Sequence, residues 1–228
     1  NTQAMSRNIF IKFSSTLATG LGGFVLSILL NRHFGKDSYG LLVLVYTVTG
    51  LAFIFSDLGA KRTLNRYVPV VASGAEPTMQ LGPLVGVAFL IQLGGALLFT
   101  ALITLGSEFL AVWFFQKAAL APLILVGAWY FFGFAMFDFF VQLFQSLQDW
   151  KKEAVLSIGF VLFQIVTLTI GLLVFNLSLG AVLVLNGLSA IGSVLLGVTL
   201  LPRSLLRQLA AGVHVRDFTK YGRVIGRF

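Results

Sequence analysis

Long runs of apolar residues, separated by short polar segments, are the main pattern along the chain. Six such runs occupy residues 13–30, 40–55, 81–105, 121–144, 154–175 and 179–201. About 20 apolar residues in a helix cross the hydrocarbon core of a bilayer, and a backbone in lipid must satisfy its own hydrogen bonds. The runs are continuous and do not alternate with polar residues, which excludes the strands of a membrane β-barrel. The pattern predicts an all-α polytopic membrane protein with six transmembrane helices within residues 1–202.

The composition supports this class of protein. Hydrophobic residues make up 57% of the 228 residues and charged residues only 11%, whereas a soluble domain has about 25% charged residues. The mean hydropathy is +0.94. A soluble chain with so little charge could not cover its surface with polar groups. The chain has no cysteine, which excludes disulfides, thiolate metal sites and cysteine nucleophiles.

Lysine and arginine are distributed unevenly between the polar segments. If the six predicted helices alternate in direction, the segments on one side hold thirteen of these cations and those on the other side three. Positively charged segments stay in the cytoplasm, so both ends of the chain are expected there. The net charge of +8 thus reflects membrane topology, and no nucleic-acid partner is expected. Residues 203–228 are expected to be a basic cytoplasmic linker to a missing second lobe, since the chain starts without methionine.

Asp138 is the only acidic residue well inside an apolar run. A carboxylate in a membrane is costly and usually faces a bundle interior or a water-filled cavity. Asp138, Gln142, Gln145 and Asp149 share one face of a helix by their spacing. We interpret this face as the wall of an inward-opening cavity, with Asp138 as a proton or cation site and Gln142 as a substrate contact. Hydrogen bonding that only holds helices together is the alternative.

Three further residues are candidate substrate contacts. Asn186 begins a polar stripe in the last apolar run, which either lines a cavity or packs helices closely. Arg32 and Arg66 flank apolar runs, and the planar guanidinium fork binds pairs of phosphate oxygens. Contact with lipid headgroups is the alternative for these arginines. For Lys61 and Arg62 it is the favoured interpretation.

No group of residues points to enzymatic chemistry. The sequence contains no phosphate-cradling loop, no H-E-x-x-H and no G-x-S-x-G. The two histidines are far apart and have no other ligand-type residues at metal-binding spacing. We therefore expect neither an enzyme nor a resident cofactor or metal. An integral-membrane transferase is disfavoured, because clustered acidic residues are missing.

Two polar segments carry glycine-containing motifs. Residues 34–40 read F-G-K-D-S-Y-G and include Gly35, Tyr39 and Gly40. Residues 56–67 read S-D-L-G-A-K-R-T-L-N-R-Y and include Asp57, Gly59 and Arg66. These segments resemble the first outer and first inner hairpins of bacterial polysaccharide flippases. Those proteins form the O-antigen flippase-like branch of the multidrug/oligosaccharidyl-lipid/polysaccharide exporter superfamily.

The resemblance implies that the six helices form one lobe of a two-lobed transporter, with a C-terminal lobe of the same protein as partner. It implies alternating access, in which an undecaprenyl-diphosphate-type lipid-linked oligosaccharide crosses the bacterial inner membrane, as in O-antigen and lipopolysaccharide assembly. Membrane lipids are the other expected partners. A cation-coupled multidrug exporter of the same fold stays open as an alternative, as does a non-transporting membrane scaffold subunit.

Overall fold

Helices account for nearly all of the structure, a computed structural model that describes residues 2–75, 79–175 and 177–210. No strand occurs within those residues. The helices are α1 (Thr2–Ser56), α2 (Ala60–Ala72), α3 (Leu81–Leu105), α4 (Ser107–Phe109), α5 (Ala121–Ser146), α6 (Trp150–Phe175), α7 (Leu179–Leu200) and α8 (Arg203–Ala210). A π-helical turn (Leu110–Phe114) and a 3-10 turn (Ala118–Leu120) lie between α4 and α5. The predicted all-α class is confirmed.

Five helices in the described residues are long and apolar enough to cross a membrane. They are Ser6–Ser56, Leu81–Leu105, Ala118–Ser146, Trp150–Phe175 and Leu179–Leu200. The last four predicted runs coincide with α3, α5, α6 and α7 to within a few residues. The first two runs, 13–30 and 40–55, both fall inside α1, which has 55 residues. A straight helix of that length would extend about 80 Å, far more than the thickness of a bilayer.

Helix α1 is divided at Gly35. This residue has φ 76° and ψ 172°, outside the helical range. Glycine adopts a positive φ without the steric cost that a side chain would add. The break separates an N-terminal arm, residues 2–34, from a C-terminal arm, residues 36–56.

The two arms run in opposite directions. The N-terminal arm contacts α6 in parallel register, through the pairs Lys12–Glu153 and Gly22–Val161. The C-terminal arm contacts α5 in parallel register, through the pairs Val45–Gly127 and Phe53–Phe134. Helices α5 and α6 are antiparallel neighbours, through the pairs Gln145–Glu153 and Phe137–Phe160. Because α5 and α6 run in opposite directions, the chain reverses at Gly35, as the first motif predicted.

The chain does not reverse at the second motif, where an inner hairpin was expected. Helix α2 continues along α5 in the direction of the C-terminal arm, through the pairs Lys61–Asp138 and Asn65–Ser146. Residues 57–59 therefore interrupt one helical path. The reversal expected of this inner segment therefore lies between α2 and α3 and not at Asp57 and Gly59, because glycine and charge indicate a break, whereas packing decides the direction of the chain after it.

Helix α5 is the centre of the bundle and contacts α1, α2, α3, α6 and α7. Its large side chains Phe131, Phe139 and Phe144 are almost completely buried. Helix α7 approaches it closely, because Gly197 lies directly against the ring of Phe140. Most of the surface of α5 therefore faces another helix, although Leu125 and Trp129 are exposed.

Helix α8 folds back onto the end of the bundle. The Gly82 N–H donates a hydrogen bond to Gln208 Oε1 at 2.9 Å. Leu205 is buried, whereas Arg203 and Arg207 are exposed. The expected basic linker therefore begins as an amphipathic helix docked on α3, and residues 211–228 lie outside the described part of the chain.

The interruption at residues 57–59 begins where the end of α1 packs closely against α3. A Cβ atom added at Gly95 would collide with the backbone carbonyl oxygen of Ser56, the last residue of α1. Glycine alone permits two backbones to come this close. Ser56 is completely buried. The neighbouring helix thus shields the interrupted backbone, as non-helical backbone at membrane depth requires.

Gly95→Ala is expected to destabilise the protein, because the added methyl group must displace Ser56 or α3. Overpacking of this kind costs about 1–3 kcal/mol. Gly94→Ala is the matched control, since nothing lies within 4 Å of a Cβ atom at that position. Thermal unfolding of both purified variants in detergent tests the contact, and equal midpoints would show that α1 and α3 do not touch there.

Candidate functional site

The interruption at residues 57–59 places polar backbone groups and the Asp57 carboxylate inside an apolar bundle. Leu58 and Gly59 have positive φ angles of 45° and 86°. A positive φ is uncommon for leucine and indicates a backbone that its surroundings hold in place. The Asp57 Oδ1 atom accepts a hydrogen bond from the Lys61 N–H at 2.9 Å. Because this carboxylate caps α2 at its positive end, the D-L-G sequence both ends α1 and starts α2.

The interruption lies well inside the bundle along its long axis. Asp138, which contacts the first turn of α2, precedes the last residue of α5 by eight positions, or about 12 Å along a helix axis. Gly95, which touches the end of α1, follows the first residue of α3 by fourteen positions, or about 21 Å. Charged groups at this depth need partners from the protein or from water, because lipid supplies none.

Lys61 provides such a partner for Asp138. The Lys61 Nζ atom lies 2.8 Å from Asp138 Oδ2 and 3.8 Å from the centre of the Phe53 ring. The two charged side chains are 17% and 18% exposed. Asp138 is therefore not the lone carboxylate that the sequence suggested, and Lys61 is not an isolated headgroup contact. The physical reason is the continued path of α2, which carries Lys61 to the level of Asp138.

Helix α2 is amphipathic, and its exposed side is cationic. Its buried residues are Ala60, Thr63, Leu64 and Val68. Arg62 and Arg66 are exposed on the other side, and the Arg66 guanidinium lies 5.4 Å from the Tyr67 ring. We call Lys61, Arg62 and Arg66 the cationic strip. It extends from the interruption along α2, and its guanidinium and ammonium groups are donors that phosphate oxygens accept well.

The predicted polar face of α5 is divided between several contacts. Gln142 is half-buried and lies one helical turn from Asp138. Gln145 donates a hydrogen bond to Glu153. Asp149 pairs with Lys152 at 3.0 Å. The last two members of the face therefore fix the turn between α5 and α6, while Asp138 and Gln142 remain beside α2.

An ion pair with a buried carboxylate, which the sequence analysis missed, connects α1 and α6 at this end of the bundle. Glu153 is only 2% exposed, and its Oε1 atom lies 2.9 Å from Lys12 Nζ. The same oxygen accepts hydrogen bonds from Ser157 at 3.2 Å and from Gln145 at 3.4 Å. Glu153 follows two lysines at a helix start, a pattern typical of a solvated surface. No local spacing could have linked it to Lys12, which lies 141 positions earlier.

Asn186 lies in a buried chain of hydrogen bonds and is 4% exposed. Its Oδ1 atom accepts from Gln164 at 3.2 Å, and its Nδ2 atom donates to the Tyr46 hydroxyl at 2.7 Å. Both ends of the amide are therefore occupied by side chains from two other helices. This geometry favours the helix-packing interpretation, and we do not place Asn186 among the substrate contacts.

The first motif lies at the opposite end of the bundle from the cationic strip. Arg32 is exposed and lines an open groove of about 530 Å³ with Thr169 of α6. Tyr39 packs on the core, whereas open space surrounds Gly40. The structure thus places Asp57, Gly59 and Arg66 on the same segment as Lys61, which contacts Asp138, and leaves Arg32 apart from them.

Comparison with known proteins identifies the family. A model of the family described as polysaccharide biosynthesis protein matches residues 5–222. The chain belongs to this polysaccharide biosynthesis protein family. The matched region contains both motifs and the cationic strip, and it confirms the resemblance that the motifs suggested. No match was found among curated proteins or among solved structures. The family is transporter-like, and this chain has five helices in its described residues that are long and apolar enough to cross a membrane.

Lys12→Met is expected to destabilise this polysaccharide biosynthesis protein, because it leaves the Glu153 carboxylate buried without its cation. Lys12 is itself 38% exposed, so the cost is expected to be below that of breaking a fully buried pair, at about 1–3 kcal/mol. Lys152→Met is the matched control, because Lys152 and Asp149 are 34% and 35% exposed and such surface pairs contribute about 0–1 kcal/mol. Thermal unfolding measures the difference. Equal small shifts would indicate that water reaches Glu153.

Proposed function

We propose that this protein flips a polyprenyl-diphosphate-linked oligosaccharide across the bacterial inner membrane by alternating access. The substrate class is that of undecaprenyl-diphosphate-linked glycans, such as those of O-antigen and lipopolysaccharide assembly. Family membership supports a role in polysaccharide biosynthesis. The apolar helices support a multi-pass membrane location.

The observation that carries this proposal is the cationic strip on an interrupted helix. Transporters often place their substrate sites at discontinuous helices near the bilayer midplane. A lipid diphosphate that crosses a membrane needs cationic donors at the depth of the lipid headgroups and deeper in the bilayer. Guanidinium groups bind phosphate oxygens in pairs. Arg62 and Arg66 lie along the exposed side of α2. We assign them to the diphosphate and keep Gln142 as a contact to its glycan.

The direction of the two arms of α1 supports a six-span topology. We place each arm in the bilayer as a separate span, together with α3, α5, α6 and α7, and α2 completes the second span beyond its interruption. The positive-inside rule then places both ends of the chain in the cytoplasm. In this orientation the cationic strip opens to the cytoplasm and Arg32 lies on the outer side. We propose that Arg32 meets the diphosphate as the substrate leaves.

A second body is needed to close a cavity over the cationic strip. Alternating access moves two parts of a transporter against each other around a fixed site. We propose that a second lobe of the same protein provides that partner and faces the exposed side of α2. An ion-coupling role for Asp138 stays a prediction within this mechanism, since its carboxylate is 18% exposed and already paired with Lys61.

Cysteine labelling tests the topology, and the chain offers a cysteine-free background. We expect Lys36→Cys to react from outside intact cells with a membrane-impermeant maleimide. Ser73→Cys and Ser204→Cys should react only after the membrane is opened. All three positions are exposed. Labelling of position 36 only from the side of position 73 would contradict a crossing of the membrane between them.

A flipping assay tests the proposed substrate class. The purified full-length protein in proteoliposomes is expected to move a fluorescent short-chain polyprenyl-diphosphate disaccharide between leaflets, measured by quenching with a membrane-impermeant reductant. Arg62→Gln and Arg66→Gln should each lower the rate roughly tenfold, because each removes a charged hydrogen-bonding group.

Arg203→Gln and Arg207→Gln are the matched controls, since they remove exposed arginines at the same spacing on α8. Equal losses in both pairs would assign the arginines to headgroup binding in general. Export of cationic drugs without movement of the lipid diphosphate would favour a multidrug exporter.

A further inference from the structure

Two ion pairs in the described residues hold partly or fully buried carboxylates, and they are built differently. The Glu153 Oε1 atom receives Lys12, Gln145 and Ser157 together, whereas its Oε2 atom has no hydrogen-bond partner in the part of the chain that the structure describes. Asp138 has Lys61 at 2.8 Å, yet its Oδ2 atom has no partner in hydrogen-bond geometry. The Lys61 contact is therefore close but not aligned. A permanent buried pair needs such additional hydrogen bonds to offset its desolvation, and among the described residues Asp138 lacks them.

The position of Lys61 suits an exchange of partners. It lies in the first turn of α2, directly after the interruption, and is the innermost member of the cationic strip. Its ammonium group sits on a flexible four-carbon stem and acts as a movable point charge. The side chain is 17% exposed, so the gap it occupies is not sealed. A rotation of this side chain can therefore reach a ligand on the exposed side of α2 without unfolding the helix.

We propose that Lys61 is a ligand of the substrate diphosphate and that Asp138 and the Phe53 ring hold it while the site is empty. This inference rests on the proposed function, because it assumes a lipid diphosphate beside α2. When the diphosphate arrives beside Arg62 and Arg66, Lys61 leaves Asp138 and binds a phosphate oxygen. When the substrate departs, Asp138 takes Lys61 back. Ion pairs are exchanged in this step, and no covalent bond changes.

The exchange makes Asp138 a competitor of the substrate for one cation. Coupling between two binding events is reciprocal, so whatever holds Lys61 on Asp138 weakens the binding of the diphosphate. Removing the Asp138 charge should therefore tighten substrate binding and slow substrate release. A carboxylate that only holds helices together gives no reason for tighter binding, and one that repels the diphosphate directly would weaken binding whether or not Lys61 is present.

Binding of farnesyl diphosphate to the full-length protein in lipid nanodiscs tests this proposal, with farnesol as the uncharged probe. We expect Lys61→Gln to raise the dissociation constant about tenfold, the loss of one charged hydrogen bond. Asp138→Asn should lower the dissociation constant several-fold and also slow flipping in proteoliposomes. The matched controls are Lys152→Gln and Asp149→Asn, which disrupt a lysine–aspartate pair at 3.0 Å on the surface.

The double variant with Lys61→Gln and Asp138→Asn separates this competition from a folding defect. It should bind farnesyl diphosphate as weakly as Lys61→Gln alone, because Asp138 acts only through Lys61. If Asp138→Asn binds no tighter than the wild type, or if Asp138→Asn misfolds and the double variant differs from Lys61→Gln, the proposal is wrong. If the wild type binds farnesyl diphosphate no better than farnesol, the substrate class of the proposed function fails first and this inference fails with it.

Discussion

An interrupted helix inside a membrane must have its backbone shielded from lipid, and the arrangement around residues 57–59 depends on this requirement. The contact between the Ser56 carbonyl and Gly95 brings α3 against the break, and the Asp57 carboxylate caps the helix that follows. Once α2 begins at that depth, Lys61 lies alongside α5 instead of at the bundle end. The pairing of Lys61 with Asp138 thus depends on this close backbone contact, because lipid offers no alternative hydrogen-bond partners.

The charged groups divide into fixed and exchangeable contacts. The Lys12–Glu153 pair has supporting donors and is closed from solvent on the glutamate side, which suits a permanent clamp between α1 and α6. The Lys61–Asp138 pair is partly open and stands on an aromatic face, which suits a cation that changes partners. The proposed flippase mechanism needs both kinds of contact, since a fixed pair holds helices together and an exchangeable one can release a substrate. The nitrogen–oxygen distances of the two pairs are almost equal, at 2.9 and 2.8 Å. The two pairs therefore differ in their hydrogen-bond geometry and not in their distance.

The bundle combines a densely connected centre with an exposed cationic side. Helix α5 contacts every other long helix, and the Gln164–Asn186–Tyr46 chain of hydrogen bonds connects α6, α7 and α1 across the core. The exposed side of α2 carries Arg62 and Arg66. The proposed alternating-access mechanism would use this cationic side as the surface that faces the substrate.

The sequence by itself determined the class of protein, four of the helices almost to the residue, and the family, because long apolar runs and short glycine motifs are local signals. It also indicated that Asp57, Gly59 and Asp138 lie at unusual positions. Only the tertiary structure decided that the chain continues through Asp57, that Lys61 meets Asp138, and that Glu153 is buried against Lys12. Those facts depend on the register between helices, and the register comes from side chains and glycine contacts that are far apart in the sequence. A polar stripe such as that of Asn186 has the same sequence pattern whether it lines a water-filled cavity or packs against another helix. Only the contacts in the folded protein distinguish the two.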